Sequence, residues 1–234
     1  MSLHDAFFSK CSQDELKLLK SYTEILVKEM EPAGLIGPAD TATAWKRHID
    51  DSLLPLLSPK LSGLLDKANL VSDLGTGAGL PGIPLAIKYP KTQFQLVDAS
   101  IKRVEMLEKL VSRLGLKNIM VSCCSLGSDT FKGKKSDVVL FRAFRKPLAA
   151  MELALYVSKI PASILYWRIQ NPFSKTGAEK RLRELGIRSE GAYHWQEFAQ
   201  PAGIYYFSRK EKAGKGFPRS FGRIQKDPLV GSVT

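Results

Sequence analysis

The sequence predicts an α/β fold: a mostly parallel sheet with helices on both faces, a helical N-terminal extension before it and an antiparallel hairpin at its end. Three observations carry this. From residue 69 onward short apolar runs alternate with amphipathic stretches, the pattern of parallel strands joined by crossover helices. The first apolar run ends in a glycine-rich turn, Asp73-Leu-Gly75-Thr-Gly77-Ala-Gly79. Before residue 69 the periodicity is helical.

Ser12-Gln-Asp-Glu15 is a capping-box opening, in which the hydroxyl and the Glu15 carboxylate each satisfy an orphan backbone donor. Leu16, Leu19, Tyr22 and Leu26 then give the run to Met30 one apolar face. Pro32, Gly34, Gly37 and Pro38 punctuate a loop. Asp40 is placed to cap a second helix carrying Trp45, His48, Ile49, Ser52 and Leu53, which Pro59 limits. Residues 1–68 are therefore a helical N-terminal extension, 69–208 the sheet domain and 209–234 a basic C-terminal tail.

Within the domain, strands are expected at 70–74, 94–98, 118–122, 137–141 and 163–167, and helices at 82–89, 101–114, 148–158 and 178–185. The helix at 101–114 is the clearest, with Val104, Leu107, Leu110, Val111 and Leu114 on one face. The terminal hairpin is expected between residues 191 and 208.

Bulk properties bound the function. No apolar run approaches the roughly 18 residues of a membrane span; the best, residues 153–167, is broken by Lys159 and Pro161. The N-terminus lacks the basic-then-apolar order of a signal peptide. Three cysteines, with Cys123 and Cys124 adjacent, give neither a disulfide framework nor metal-ligand spacing, so no metal is expected and the cytoplasm is the expected home. The formal charge of +12 points to a polyanionic partner; a charge serving only solubility remains the alternative.

That charge is uneven. Residues 208–227 hold seven basic residues (Arg209, Lys210, Lys212, Lys215, Arg219, Arg223, Lys226) against Glu211 and Asp227, with Phe217 and Phe221 interleaved. The segment reads either as a solvated tail or as one that orders on RNA. On the second reading, deleting residues 214–234 should weaken RNA binding and its salt dependence and spare any cofactor site elsewhere in the chain.

The loop carries the chemistry. Glycines there let the backbone turn tightly and approach a ligand without a Cβ in the way. Gly77-Ala-Gly79-Leu-Pro-Gly82 matches the dinucleotide fingerprint by spacing, which by itself is weak. Asp73 favours S-adenosylmethionine instead: a carboxylate there can meet an ammonium group and would repel a pyrophosphate. Asp98 closes the second strand where a carboxylate can accept both ribose hydroxyls of either cofactor. The fold then reads as a Rossmann-like, class I S-adenosylmethionine-dependent methyltransferase.

Several blocks in order resemble one family: Arg47-His48-Ile-Asp-Asp51-Ser52-Leu53; Asp73 through Gly82 continued by Ile-Pro-Leu-Ala86; Leu96-Val-Asp98-Ala-Ser-Ile-Lys102-Arg103; Ser136-Asp-Val-Val-Leu-Phe-Arg142-Ala-Phe144; and, in the tail, Phe217-Pro-Arg219, Gly222 and Pro228-Leu229. The family is the bacterial 16S rRNA guanine-N7 methyltransferases, also called glucose-inhibited division protein B. The resemblance runs from about residue 40 to 230.

It implies a cytoplasmic, monomeric enzyme that moves the methyl of S-adenosylmethionine to N7 of a guanine in 16S rRNA, free or in a small-subunit precursor. It places Asp73, Gly75, Thr76, Gly77, Gly79, Leu80, Asp98 and Ala99 against the cofactor, and Leu126 and Gly127 on its adenine side. Arg142, the expected catalytic residue, sits at the mouth shared by cofactor and base. RNA contacts are expected from Arg47, His48, Lys102, Arg103, Arg168, Arg219 and Arg223.

Two positions depart from the family pattern. Ser125-Leu126-Gly127 replaces an Arg-Ala-Glu-like motif, removing the acid, and Trp167-Arg168 replaces Lys-Gly. A weakened RNA-binding relative and an NAD(P)-linked oxidoreductase on the same loop remain alternatives, although no catalytic His/Lys/Tyr set supports the latter. For His48, local pairing with Asp51 one turn on competes with an RNA role. Trp45, Trp167 and Trp195 read as core, and Lys132, Lys134 and Lys135 as a basic turn.

Overall fold

Seven strands form one sheet in the order β3-β2-β1-β4-β5-β7-β6 in the computed structural model, which describes residues 7–128, 131–143, 146–168, 173, 177–195 and 202–226. Phe144, the hairpin tip and the end of the tail with Asp227 and Pro228-Leu229 lie outside the described residues.

β1 (Leu70–Leu74) is central because every one of its residues is buried. It pairs in parallel with β2 (Gln93–Asp98) on one side and β4 (Ser136–Arg142) on the other, setting Asp73 opposite Leu96 and Leu140. A buried polar chain ties these strands: Gln95 Nε2 donates to Ser72 Oγ at 3.0 Å, and Ser72 Oγ meets Ser136 Oγ at 2.5 Å. β3 (Ile119–Cys123) adds beyond β2, and β5 (Ser158–Trp167) beyond β4, both parallel. The order runs outward in both directions from β1, so the crevice at its carboxyl end is where such sheets bind ligands.

β7 (Ala202–Arg209) inserts antiparallel between β5 and β6 (Ile187–Trp195). The hairpin is therefore present and starts at Ile187, four residues earlier than the sequence suggests. β5 also begins earlier, at Ser158. The added residues include Lys159 and Pro161, and β5 is exposed from Lys159 to Pro161, where neither a charge nor a missing donor is costly.

The extension builds one face of the core. α1 (Gln13–Ile25) begins at the expected capping box, with Glu15 N donating to Ser12 Oγ and Ser12 N to Glu15 Oε2. It continues as a π-helical turn over Leu26–Met30. The second predicted helix is instead a short α2 (Thr41–Ala44) capped by Asp40, a π-helical segment at Trp45–Asp50 and a 3-10 turn at Leu54–Leu57. The widened turn falls on the Arg47-His48-Asp51 block, and such irregularities concentrate at functional sites. α3 (Pro59–Asp66) closes the extension. Phe7, Leu19, Tyr22, Leu26, Ile49 and Leu53 pack with Val71, Ile83 and Leu96 from the domain.

The domain helices are α4 (Gly82–Lys88), α5 (Ile101–Arg113), α6 (Pro147–Val157) and α7 (Ala178–Glu184). On the second face α6 packs over Val139, Phe141 and Tyr166. The tail joins this face: its helix α8 (Phe221–Lys226) buries Ile224 among the same side chains. Through residue 226 the tail is thus part of the body, which is neither of the readings its composition suggested.

Candidate active site

The turn after β1 is held open by charge and backbone shape. Gly75, Gly77 and Gly79 take positive φ values of 68°, 59° and 94°, the region where a Cβ is penalised. A Cβ on Gly77 would meet only the Gly75 carbonyl at 4.0 Å, so this backbone faces open space. Asp73 lies fully buried beneath the turn. Its Oδ2 accepts from Thr76 Oγ1 at 2.7 Å and from Gly82 N at 2.9 Å, while Oδ1 is buried with no partner among the described residues. Burial pushes its carboxyl up to about 6 against the pull of those two hydrogen bonds. An acid with one unanswered buried oxygen suits a cationic group.

Asp98 ends β2, also buried. Its Oδ2 accepts from Gly77 N at 3.1 Å and its Oδ1 from Ser100 N at 3.0 Å. A carboxylate has about four acceptor positions, so two remain for a diol. Ala99 is exposed beside it, and Cys123 Sγ lies 3.8 Å from the Ala99 carbonyl. The loop after β3 runs on alongside, with Cys124 N donating to the Asp98 carbonyl at 3.0 Å. It brings Leu126, buried, and Gly127, at φ 86°, to this edge.

Arg142 ends β4 and is followed by Ala143 at φ 56°, an uncommon turn for a residue with a Cβ. Its NH2 reaches the extension: 2.9 Å to Asp51 Oδ2, 2.9 Å to the Arg47 carbonyl and 3.4 Å to His48 Nδ1. His48 and Asp51 thus meet at Arg142. Burial, then Arg142 and Arg47, drive His48 down to about 4. A neutral ring there can accept from the guanidinium. Burial lifts the Asp51 carboxyl even with Arg142 beside it. Trp167 is buried and donates its Nε1–H to the Asp51 carbonyl at 2.9 Å.

The structure therefore gathers Asp73, Gly75, Thr76, Gly77, Gly79, Leu80, Asp98 and Ala99 at the carboxyl ends of β1 and β2, with Leu126 and Gly127 beyond them. Arg142, Arg47 and His48 form a second group at the end of β4. The other expected RNA contacts are spread more widely. Lys102 and Arg103 open α5, and Arg103 lies 3.6 Å from Asp98. Arg168 extends the β5–β7 pairing, its N–H donating to the Gly203 carbonyl. Arg223 is exposed on α8, whereas Arg219 is turned inward onto the buried Glu152.

Three participants escaped the sequence. Tyr22, fully buried, donates its hydroxyl to the Ala78 carbonyl at 2.9 Å and ties α1 to the glycine turn. Asp51 pairs with Arg142. Glu152 is a lone acid in the apolar helix α6, a detectable signal, because a buried carboxylate requires a partner.

The family model for GidB, described as rRNA small subunit methyltransferase G, matches residues 15–183, which include every element of this crevice. The chain belongs to the GidB family. The ribosomal RNA small subunit methyltransferase G of Oenococcus oeni is 29% identical over 94% of this chain and 92% of its own. That of Lactiplantibacillus plantarum is 30% identical over 89% and 88%. Among solved structures, the S-adenosylmethionine-dependent methyltransferase SibL superposes with a TM-score of 0.56 at 16% identity, covering 83% of this chain and 70% of that one. Cofactor-bound Rv0187 from MTB gives 0.55 at 17%, covering 88% and 96%. The fold is that of class I S-adenosylmethionine-dependent methyltransferases, and this GidB member is an rRNA methyltransferase by family. The oxidoreductase alternative falls with that assignment. No helix among the described residues is long and apolar enough to cross a membrane.

Proposed function

We propose that this GidB chain, as a monomer, transfers the methyl group of S-adenosylmethionine to N7 of a guanine in 16S rRNA. The carrying observation is the pair of buried carboxylates, Asp73 and Asp98, set one on each side of an open glycine turn within a GidB domain. Asp73 Oδ1 would take the ammonium end of the cofactor, Gly75 through Leu80 its middle, and Asp98 with Ala99 the ribose. Leu126 and Gly127 would border the adenine. When bound, S-adenosylmethionine supplies an electrophilic methyl on a positively charged sulfur.

The acceptor chemistry fits the side chains at the mouth. N7 of guanine carries an in-plane lone pair and no proton, so its attack requires no general base. His48, held neutral beside Arg142, is accordingly a hydrogen-bond acceptor that orients the guanidinium. Among the described residues Arg142 makes its three contacts through NH2, and Nε and NH1 are assigned as donors toward guanine O6 or a phosphate. Alignment supplies most of the acceleration in such a site, and the Asp51 clamp provides it. Arg47, Lys102, Arg168 and Arg223 are assigned to RNA phosphates. Arg103 shares its charge with Asp98, and Arg219 serves Glu152.

The test has two parts. Calorimetric titration should show micromolar binding of S-adenosylmethionine and none of NAD or NADP. Small subunits from a strain lacking this enzyme should then gain one N7-methylguanine, located by chemical strand scission at the modified base. Methylation at a different guanine atom, or of large-subunit RNA alone, would replace the substrate assignment.

A further inference from the structure

The described part of the basic tail, through residue 226, is fastened at several points. Glu152 on α6 is completely buried, and its carboxylate is spanned by Arg219: Nε lies 3.0 Å from Oε1 and 3.2 Å from Oε2, and NH2 lies 2.8 Å from Oε2. The Arg219 backbone N–H adds a fourth contact to Oε1 at 2.7 Å. Tyr156, one helical turn along α6, donates its hydroxyl to the Arg219 carbonyl at 2.7 Å. Such a fork-to-fork pair around a desolvated carboxylate fixes geometry, and losing one partner leaves the other charge stranded.

Two residues later the tail meets the cofactor crevice. Phe221 N donates to the Gly127 carbonyl at 3.0 Å. A Cβ on Gly127 would stand 2.9 Å from Phe221 N and 3.3 Å from its Cα, so tail backbone occupies the place of a side chain. Ile224 then buries itself in the cluster that also contains Leu126. Lys146 Nζ reaches the Gln225 carbonyl at 3.1 Å, closing the far end. The loop 124–127 is in turn bonded to the Asp98 carbonyl through Cys124 N.

We infer that Glu152, Arg219 and Phe221 are positioning residues for the cofactor: they pin the C-terminal segment against Gly127 and so hold the loop beside Asp98 in its binding shape. None of the three needs to touch the cofactor. The inference rests on the proposed placement of Leu126 and Gly127 on the adenine side, and it reverses the expectation that removing the tail spares the cofactor.

Phe221 offers a clean test because it is the first residue of α8, where proline's fixed φ is compatible with helix and its missing N–H disturbs no helical bond. Phe221→Pro removes the donor to Gly127; Phe221→Ala removes the ring and keeps the donor. Cofactor affinity is measured by calorimetry on the full-length chain, with KM, kcat and melting temperature alongside. Phe221→Pro should bind S-adenosylmethionine at least about fivefold more weakly than Phe221→Ala, within the usual range for coupling between sites. KM for the cofactor should rise and kcat at saturation should hold, with the two variants melting alike. Arg219→Ala should lose more affinity than Arg219→Lys, whose ammonium restores the charge without the fork. Equal affinity of Phe221→Pro and Phe221→Ala would overturn the inference. Absence of S-adenosylmethionine binding by the unaltered chain would instead overturn the cofactor reading beneath it.

Discussion

Arg142 and Asp51 meet at 2.9 Å across the join between the sheet domain and the extension, 91 positions apart in the chain. One ends a central strand and the other follows the π-helical turn at Trp45–Asp50, so the guanidinium at the mouth is aimed by a residue the domain does not contain. The extension is thereby built into the proposed active site.

Asp51→Asn should leave cofactor affinity nearly unchanged and lower kcat by about ten- to a hundredfold, the scale on which small misplacements of a reacting group act. Asp51→Ala should lose more. Steady-state kinetics on small subunits reads this directly, and a wild-type kcat in both variants would remove Asp51 from the mouth.

Two groups, the buried Asp73 and the half-buried His48, should oppose each other with pH. The Asp73 carboxyl, lifted to about 6, stays protonated in the folded protein where the unfolded chain is ionised. Its contribution is full below about pH 4 and is lost as pH rises through about 6. His48, lowered to about 4, stays neutral where the unfolded chain is protonated. Its contribution is present above about 6.5 and is lost as pH falls through about 4. Between these limits the slopes cancel. His48→Gln should uncover a stability that falls by up to about 3 kcal/mol from pH 4 to 6, the value of the Asp73 displacement, and Asp73→Asn should uncover a rise. Urea midpoints across that range would show it; a flat profile in both variants would contradict the pairing. Cofactor affinity should climb through pH 6, because an ammonium group favours the ionised carboxylate.

Asp98→Ala should cost about 1.5–3 kcal/mol of cofactor binding, typical of a lost charged hydrogen bond. It also removes the acceptor for Gly77 N and Ser100 N, so the glycine turn should loosen. Unchanged affinity in a calorimetric titration would exclude Asp98 from holding the ribose.

At Gly82 an added methyl would stand 2.4 Å from Leu96 Cδ2, 2.8 Å from Asp73 Oδ2 and 3.2 Å from Asp73 Cβ. Leu96 can rotate, but Asp73 is held from two sides. Gly82→Ala should destabilise the fold by about 1–3 kcal/mol, the usual cost of overpacking, and abolish detectable cofactor binding. A variant that melts and binds normally would show that the Asp73 clamp has slack.

The parallel core and the glycine turn were legible because they rest on local signals: an apolar run, an abrupt run of glycines, an acid at a fixed distance. Asp98 was placed correctly at a strand end for that reason. What was not legible depends on contacts between distant segments. His48 looked like a partner for Asp51 because helical spacing sets them one turn apart, yet a π-helical turn and Arg142 draw both to the same guanidinium. Arg219 looked like a phosphate contact by charge; the buried acid that claims it lies 67 residues earlier. The glycine at 127 looked like a lost acid, but tail backbone fills the space where its side chain would be.

Of the chain's three cysteines, Cys124 is buried and Cys11 is half-buried with its thiol pushed up by that burial, while Cys123 is exposed next to Ala99. A thiol-reactive fluorophore should therefore attach at one place, directly across the β2–β3 pairing from Asp98, the carboxylate proposed to hold the ribose. The protein comes with its own reporter position, and arrival of the nucleoside can be followed by emission in real time without introducing or deleting a cysteine.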